Sequence, residues 1–466
     1  MSAHDLDARI RIRSLQRSII RHRAGTPVLR ALIVGLCLAG ILSACANTLA
    51  VTNDASATNW PGFMPDLQPG PPNSPVATQT LPDTRVDAPA PEIPPERARW
   101  SGHWQGWAGM NQVDAITLVV ERLTVDTATI VMATASGARE PWTERLEARF
   151  VDGELRTAPR PGSRVNFRMR DEGTLEMLWQ ADDGWWLAGV LERSNASTDT
   201  DTFPVRSVHR VLTAPNEHGR PDELETILFT PPGTAPFPTM VFNHGSTGYG
   251  DDPELFGITT VNPVITRFFN DRGWMVVFPQ RRGRGASDGV YAEGLAEDGS
   301  GYSADPLIAA AGIDRALIDI DAVVQWLRLQ PQVDRDRLLV GGESRGGLLA
   351  IAYAGAHPRT VRGAINFVGG WLGDRVPNAE RINREGFRRG TAFPGPTLWL
   401  YGEDDLYYRL THSRENFDAF QAGGGTGSFH ELPVRAGGNG HFIGMQPGLW
   451  VDTLDDYLES LLQSDR

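Results

Sequence analysis

The chain has 466 residues and a formal net charge of −13, and all 44 of its fixed cations are arginines. The lack of lysine excludes a phosphate-loop lysine, a Schiff-base lysine and a Ser-x-x-Lys dyad, while Cys37 and Cys45 leave everything after residue 45 without a thiolate nucleophile or Cys-ligated zinc. Seven arginines against Asp5 and Asp7 give residues 1–44 a charge of +5, so the remainder stands at −18, a surface that repels nucleic acid.

In chain order, the arginine-rich opening runs into Ala31–Leu42, an apolar stretch too short to span a bilayer comfortably and ending in small residues. This reads as a secretory signal over 1–44. Leu42-Ser43-Ala44-Cys45 resembles a bacterial lipobox, in which Cys45 is acylated and becomes the mature N-terminus. Ala46 follows rather than the aspartate that retains enteric lipoproteins at the inner membrane, which points to the periplasmic side of the outer membrane. Residues 45–98 are rich in Pro, Ala, Thr, Asn and Asp; too little apolar surface is available to offset ordering entropy, so a disordered tether is expected.

From residue 99 to 198 apolar residues alternate with polar ones, as in Ile116-Thr-Leu-Val-Val-Glu and Val165-Asn-Phe-Arg-Met-Arg, with turn signals such as Asp152-Gly between them. That pattern predicts a small antiparallel barrel or sandwich, similar to a lipocalin. Trp100, Trp104 and Trp107 either plug one end of it or line a ligand cup.

Residues 199–466 alternate strand and helix patterns. Strands are expected at 205–212, 224–229, 238–242, 274–278, 338–341, 364–368, 398–401 and 428–432, with helices at 313–329, 348–356 and 449–462. Buried, continuously apolar strands separated by helices predict a doubly wound, mostly parallel eight-stranded sheet, with ligands at the carboxyl ends of its strands. There lies Gly342-Glu-Ser-Arg-Gly346, a serine held at a sharp strand-to-helix turn. Asp405 follows a strand ending in Gly402, and His441 lies in Gly437-Gly-Asn-Gly-His, so the order is Ser, Asp, His. A serine hydroxyl needs an imidazole to take its proton, and the imidazole needs a carboxylate to orient it.

Asn243-His244-Gly245-Ser246, Arg281–Gly289, Gly342–Gly347 and Tyr401–Asp405, together with His441, resemble the α/β-hydrolase fold over about residues 205–466. The nearest branch includes dienelactone hydrolases and prolyl-oligopeptidase-type serine hydrolases. The resemblance implies Ser344, Asp405 and His441 as catalytic residues, with Asp405 rather than Asp404 as the acid because it sits three residues after Gly402. It implies an oxyanion hole from the main-chain N–H of Arg345 and that of Ser246, with Thr247 as the alternative. His244 is expected to shape its loop, and His244 and Trp371 are candidate pocket residues. Arg282 and Asp288 are expected to lock their loop, and residues 372–398 suffice for a small lid.

The expected activity is cleavage of carboxylic esters or related acyl compounds, with a small-molecule partner, no cofactor and no metal. Alternatives are an envelope peptidase or amidase using the same residues, and a ligand-binding lipoprotein without catalysis. Residues 99–198 are too few for a prolyl-oligopeptidase-like propeller, which favours the ester.

Overall fold

The computed structural model describes Trp60 and residues 82–108, 114–135, 142–158, 163–171, 173–181, 186–194, 205–215, 219–434 and 439–463. The expected signal segment, Cys45 and most of the tether lie outside these residues. Residues 82–98, assigned by composition to the tether, instead lie against the first folded unit. Ile93 is buried in its core, and the Arg85 and Asp87 N–H groups donate to the Glu121 side chain and carbonyl at 3.2 and 2.7 Å. Ala90 and Ala98 also pack on that core and Arg145 Nη2 donates to the Asp83 carbonyl at 2.8 Å, so scattered contacts dock a proline-rich segment that has no periodicity of its own.

That unit is a closed barrel of eight strands: β1 (Gly102–Ala108), β2 (Asp114–Leu123), β3 (Thr127–Ala135), β4 (Trp142–Val151), β5 (Glu154–Thr157), β6 (Ser163–Met169), β7 (Leu175–Ala181) and β8 (Trp186–Arg193). Closure comes from β1 pairing antiparallel with β8, Trp104 opposite Arg193. The period of two sends Ile116, Leu118 and Val120 inward with Ile130, Met132, Phe167 and Met177. Trp100 and Trp104 join this packing, and Trp104 Nε1 donates to the Trp100 carbonyl at 2.9 Å. Both are buried among the apolar residues of the barrel interior. The Trp107 side chain lies outside the described residues. Leu178, Ala188 and Val190, on the outer face of β7 and β8, belong instead to the core of the following sheet.

The sheet contains β9 (Val205–Leu212), β10 (Glu223–Thr230), β11 (Phe237–Asn243), β12 (Met275–Pro279), β13 (Val333–Glu343), β14 (Gly363–Phe367), β15 (Thr397–Gly402) and β16 (Gly427–Leu432). Its order is β16-β15-β14-β13-β11-β12-β10-β9. It is mixed, which corrects the mostly parallel sheet expected: β10 runs antiparallel to both β9 and β12. The reason is connection length. Too few residues separate β9 from β10, or β10 from β11, for a crossover, so the chain reverses at each and β10 opposes both β9 and β12, the latter parallel to β11. From β12 and β11 to β16 the pairing is parallel, and β12, β14 and β15 are buried throughout.

Six helices accompany it: α1 (Pro263–Asn270), α2 (Pro306–Arg328), α3 (Arg345–Ala356), α4 (Ala379–Arg388), α5 (Leu410–Ala422) and α6 (Val451–Gln463). The α2 helix starts seven residues before the apolar period suggests, because Asp305 caps it by accepting the Leu307 N–H at 2.8 Å and Pro306 fills the first helical position. Residues 372–398, the stretch expected to suffice for a small lid, carry ordered structure. They contain α4, whose Ile382, Asn383 and Phe387 are buried, and Asn383 Oδ1 accepts the Trp371 and Leu372 N–H groups at 2.8 and 3.0 Å.

Candidate active site

Ser344 joins β13 to α3 with φ +54° and ψ −122°, a strained conformation for a residue with a Cβ. The turn holds because its neighbours have no side chains. A Cβ on Gly346 would fall 2.0 Å from the Asn243 carbonyl oxygen, and one on Gly342 would fall 2.4 Å from the Gly346 carbonyl carbon. The Ser344 main chain is tied on both sides, its N–H to Phe367 O at 3.0 Å and its carbonyl to Gly370 N at 3.1 Å. The hydroxyl is presented at a fixed point above the carboxyl end of the sheet.

The loops after β15 and β16 bring the other two residues together. His441 Nδ1 lies 2.9 Å from Asp405 Oδ2, and the Asp405 side chain is fully buried. Asp405 Oδ1 accepts from the Tyr407 and Tyr408 N–H groups at 2.7 and 3.0 Å, so this carboxylate is oriented by three donors. Asp404 is exposed at φ +56° and bends the loop without reaching the imidazole. Asn439 Oδ1 links the loops by accepting from His441 N and Leu406 N at 3.0 and 3.2 Å. The Tyr407 and Tyr408 rings flank the imidazole, with centroids 4.5 and 5.4 Å from its own. A histidine so oriented by a buried carboxylate can accept a hydroxyl proton and hold the resulting charge. The hydrogen-bond partner of Ser344 Oγ is Tyr408 Oη, at 3.4 Å. The Tyr408 proton goes to Gly370 O at 2.9 Å, so toward Ser344 this hydroxyl is an acceptor, and burial raises its pKa.

The loop after β11 passes the serine closely: a Cβ on Gly245 would lie 3.1 Å from Ser344 Cβ. Thr247 N donates to Tyr302 Oη at 3.0 Å, so it is not a free donor. The Arg345 N–H opens α3, where a helix leaves its first donors without internal acceptors. His244 is 3% exposed and points away from the serine hydroxyl chemistry: Nε2 accepts from Arg281 N at 3.4 Å, and Nδ1 contacts Gly245 O and Arg281 Nη2 at 2.9 and 3.1 Å. Burial, then Arg281 and Arg284, lower its pKa well below the ordinary range, so it is neutral and shapes its loop. Trp371 is buried beside Arg345, whose Nε donates to the Trp371 carbonyl at 2.9 Å. Arg282 and Asp288 do lock their loop, though through other partners. Arg282 pairs with Asp319 at 2.6 Å, and Asp288 accepts the Glu223 N–H at 3.1 Å.

Sequence reasoning missed the shell beneath these loops. Arg281 pairs with Glu293 inside the protein, Tyr291 Oη donates to Glu293 at 3.2 Å, and the Tyr291 and Tyr302 hydroxyls meet at 2.8 Å. Burial works against the Glu293 carboxylate, but Arg281, Arg345 and Arg284 outweigh it and lower its pKa. No periodic pattern marks residues 291–303, so nothing in the sequence signals this network. The Tyr407-Tyr408 pair directly after the acid, and Asn439 two residues before the histidine, were visible as types but not as roles. Among the described residues no group of His, Cys, Asp and Glu side chains is arranged to hold a metal.

Residues 219–375, about a third of the chain, match the family X-Pro dipeptidyl-peptidase (S15 family), a span that runs from β10 past Ser344 to Trp371. No curated protein matches the chain. Among solved structures it is similar to the ferulic-acid-bound Est1E of Butyrivibrio proteoclasticus (15% identity, TM-score 0.36, covering 52% of this chain and 95% of that one). Esterase Pf2001 of Pyrococcus furiosus is another (15%, TM-score 0.38, 58% and 95%), as is a prolyl endopeptidase (14%, TM-score 0.39, 77% and 52%). The strand–serine–helix turn at Ser344 falls inside the matched segment, and together the turn and the match support a serine hydrolase.

Proposed function

We propose that Ser344 attacks the carbonyl carbon of a carboxylic ester or related acyl compound while His441 takes its proton. The His441–Asp405 hydrogen bond of 2.9 Å carries this reading, with Tyr408 lying against both that imidazole and the hydroxyl of a serine held at φ +54°. Asp405 fixes the imidazole with Nδ1 protonated, which leaves Nε2 as the base. Attack requires the Ser344 hydroxyl to turn from Tyr408 to that nitrogen. The developing oxyanion is met by the Arg345 and Ser246 N–H groups, each such donor contributing on the order of 10²–10³ in rate. Collapse of that intermediate breaks the ester C–O bond as His441 gives its proton to the leaving alcohol, and water then hydrolyses the acyl-enzyme with His441 again as base. An N-terminal lipid on Cys45 holds the enzyme to the periplasmic side of a bacterial envelope, and the tether expected over 45–98 is shortened to the residues before Trp60, whose Nε1 donates to Glu154 Oε1 at 2.6 Å.

A peptidase reading is favoured by one observation, the match to a dipeptidyl-peptidase family. The barrel favours the ester, since a single small barrel precedes the sheet. A panel of p-nitrophenyl acyl esters against aminoacyl-prolyl-naphthylamides separates the two. Turnover of esters with no cleavage of the amides is expected; the reverse would make the protein a peptidase.

A further inference from the structure

Tyr408 meets all three residues of the proposed reaction. Its N–H donates to Asp405 Oδ1 at 3.0 Å, its ring centroid lies 5.4 Å from that of His441, and its hydroxyl lies 3.4 Å from Ser344 Oγ. The side chain is buried and seated on the turn after β14. Oη donates to Gly370 O at 2.9 Å, and a Cβ on Gly370 would fall 2.5 Å from Tyr408 Cε1. Gly370 in turn gives its N–H to the Ser344 carbonyl at 3.1 Å. The phenol is thus fixed at both ends beside the nucleophilic oxygen. A second tyrosine shows what a purely structural phenol does here. Tyr401 is also buried, and its Oη donates to Gly369 O at 2.8 Å, one residue earlier in the same turn, and accepts from Asn366 Nδ2 at 3.1 Å. Two tyrosines therefore clamp consecutive carbonyls. Holding the turn accounts for Tyr401; Tyr408 has the contact with Ser344 Oγ in addition.

A hydroxyl has one proton and turns it to suit its neighbours. At rest Ser344 Oγ is protonated, so Tyr408 accepts from the serine and donates to Gly370 O. Once His441 takes the serine proton, Oγ carries negative charge and becomes the stronger acceptor of the two. We infer that Tyr408 is a further catalytic residue, whose Oη–H turns from Gly370 O to Ser344 Oγ as that oxygen gives up its proton, and meets it again when the acyl-enzyme breaks. This role rests on the reading of Ser344 as the nucleophile. No proton leaves the phenol. On attack the serine proton goes to His441 Nε2. When water has added and the bond between Oγ and the acyl carbon breaks, Oγ takes a proton from His441, which His441 has drawn from that water. Burial raises the Tyr408 pKa, so the hydroxyl stays protonated and able to donate. The ring is already in place, so the donor costs no reorganisation beyond the turn of one O–H bond.

The test sets Tyr408→Phe against Tyr401→Phe in the full chain, with 4-nitrophenyl acetate as substrate and a fluorophosphonate as a probe of the serine alone. Both variants keep the ring and lose one phenol bond to a carbonyl of the same turn, so their melting temperatures should fall by similar amounts. Tyr408→Phe should lower kcat/KM by about ten- to hundredfold, the scale of a hydrogen bond to a charged oxygen, and slow fluorophosphonate labelling of Ser344 in proportion. Tyr401→Phe, equally weakened in the turn, should stay within about threefold of the wild type in both rates, less than one ordinary hydrogen bond contributes. Equal losses in the two variants would make Tyr408 a clamp and overturn its catalytic role. Rates in Tyr408→Phe that match or exceed the wild type would overturn it too, and either result leaves the hydrolase reading intact. A wild type that neither cleaves the ester nor is labelled at Ser344 would remove the hydrolase reading, and the role of Tyr408 with it.

Discussion

Two adjacent aspartates show how much a single residue's position decides. Asp405 is buried, receives two main-chain N–H groups and touches His441; Asp404 is exposed at the bend. Asp405→Asn should lower kcat by about 10⁴-fold, because an amide favours the wrong imidazole tautomer and cannot stabilise its cation. Asp404→Asn should change kcat several-fold at most. Steady-state ester hydrolysis by both variants checks the pair, and equal losses would contradict the assignment. The pairing of Asp405, rather than Asp404, with His441 was legible in the sequence from its spacing after Gly402 and from chain order. Tyr408, Tyr302 and Arg281 were not legible in that way. Each acts by meeting residues tens of positions away, such as Ser344 and Tyr408 across 64, and no local pattern encodes such a meeting.

At the scale of elements, strand existence followed from apolar runs, whereas helices such as α1, α4 and α5 escaped. Their apolar faces are short, and α4 is dominated by charged residues around a few buried ones, Ile382 and Phe387 among them. The elbow between β13 and α3 is where element geometry becomes chemistry. Gly346→Ala would drive a methyl into the Asn243 carbonyl oxygen, a backbone atom that cannot swing aside. We expect a loss of about 1–3 kcal/mol in stability from overpacking. Activity should fall further than stability, since the displaced loop carries Ser246. Thermal melts set beside kcat/KM test this; a fully active, fully stable variant would mean that the elbow is looser than described.

For the whole molecule, the barrel's closure was readable as a tendency to alternate, but which strands close the ring depends on long-range pairing of β1 with β8. One charged group tests how the barrel responds to acid. The Arg145 side chain, and then the Arg85 N–H, hold the Glu121 carboxyl below its ordinary range against the opposing effect of burial. Such a group adds stability at neutral pH that is lost as pH falls through its depressed folded pKa. Glu121→Gln should therefore lower the melting temperature at pH 7 by about 1–3 °C and flatten its decline below pH 4.5. A parallel decline in both proteins would contradict this. The N-terminal anchor has its own check: each buried methylene of an acyl chain contributes about 0.8 kcal/mol, so salt should not release the protein, whereas Cys45→Ser should abolish acylation. Mass spectrometry of the mature terminus reads this out, and an unmodified terminus away from Cys45 would refute the anchor without touching the enzyme. The central claim is that Ser344 is the nucleophile. Labelling the wild type and Ser344→Ala with a fluorophosphonate, then sequencing the modified peptide, tests it most directly. The account predicts one adduct, on Ser344, and neither labelling nor ester hydrolysis in a variant that melts like the wild type; an adduct that persists in Ser344→Ala would contradict it.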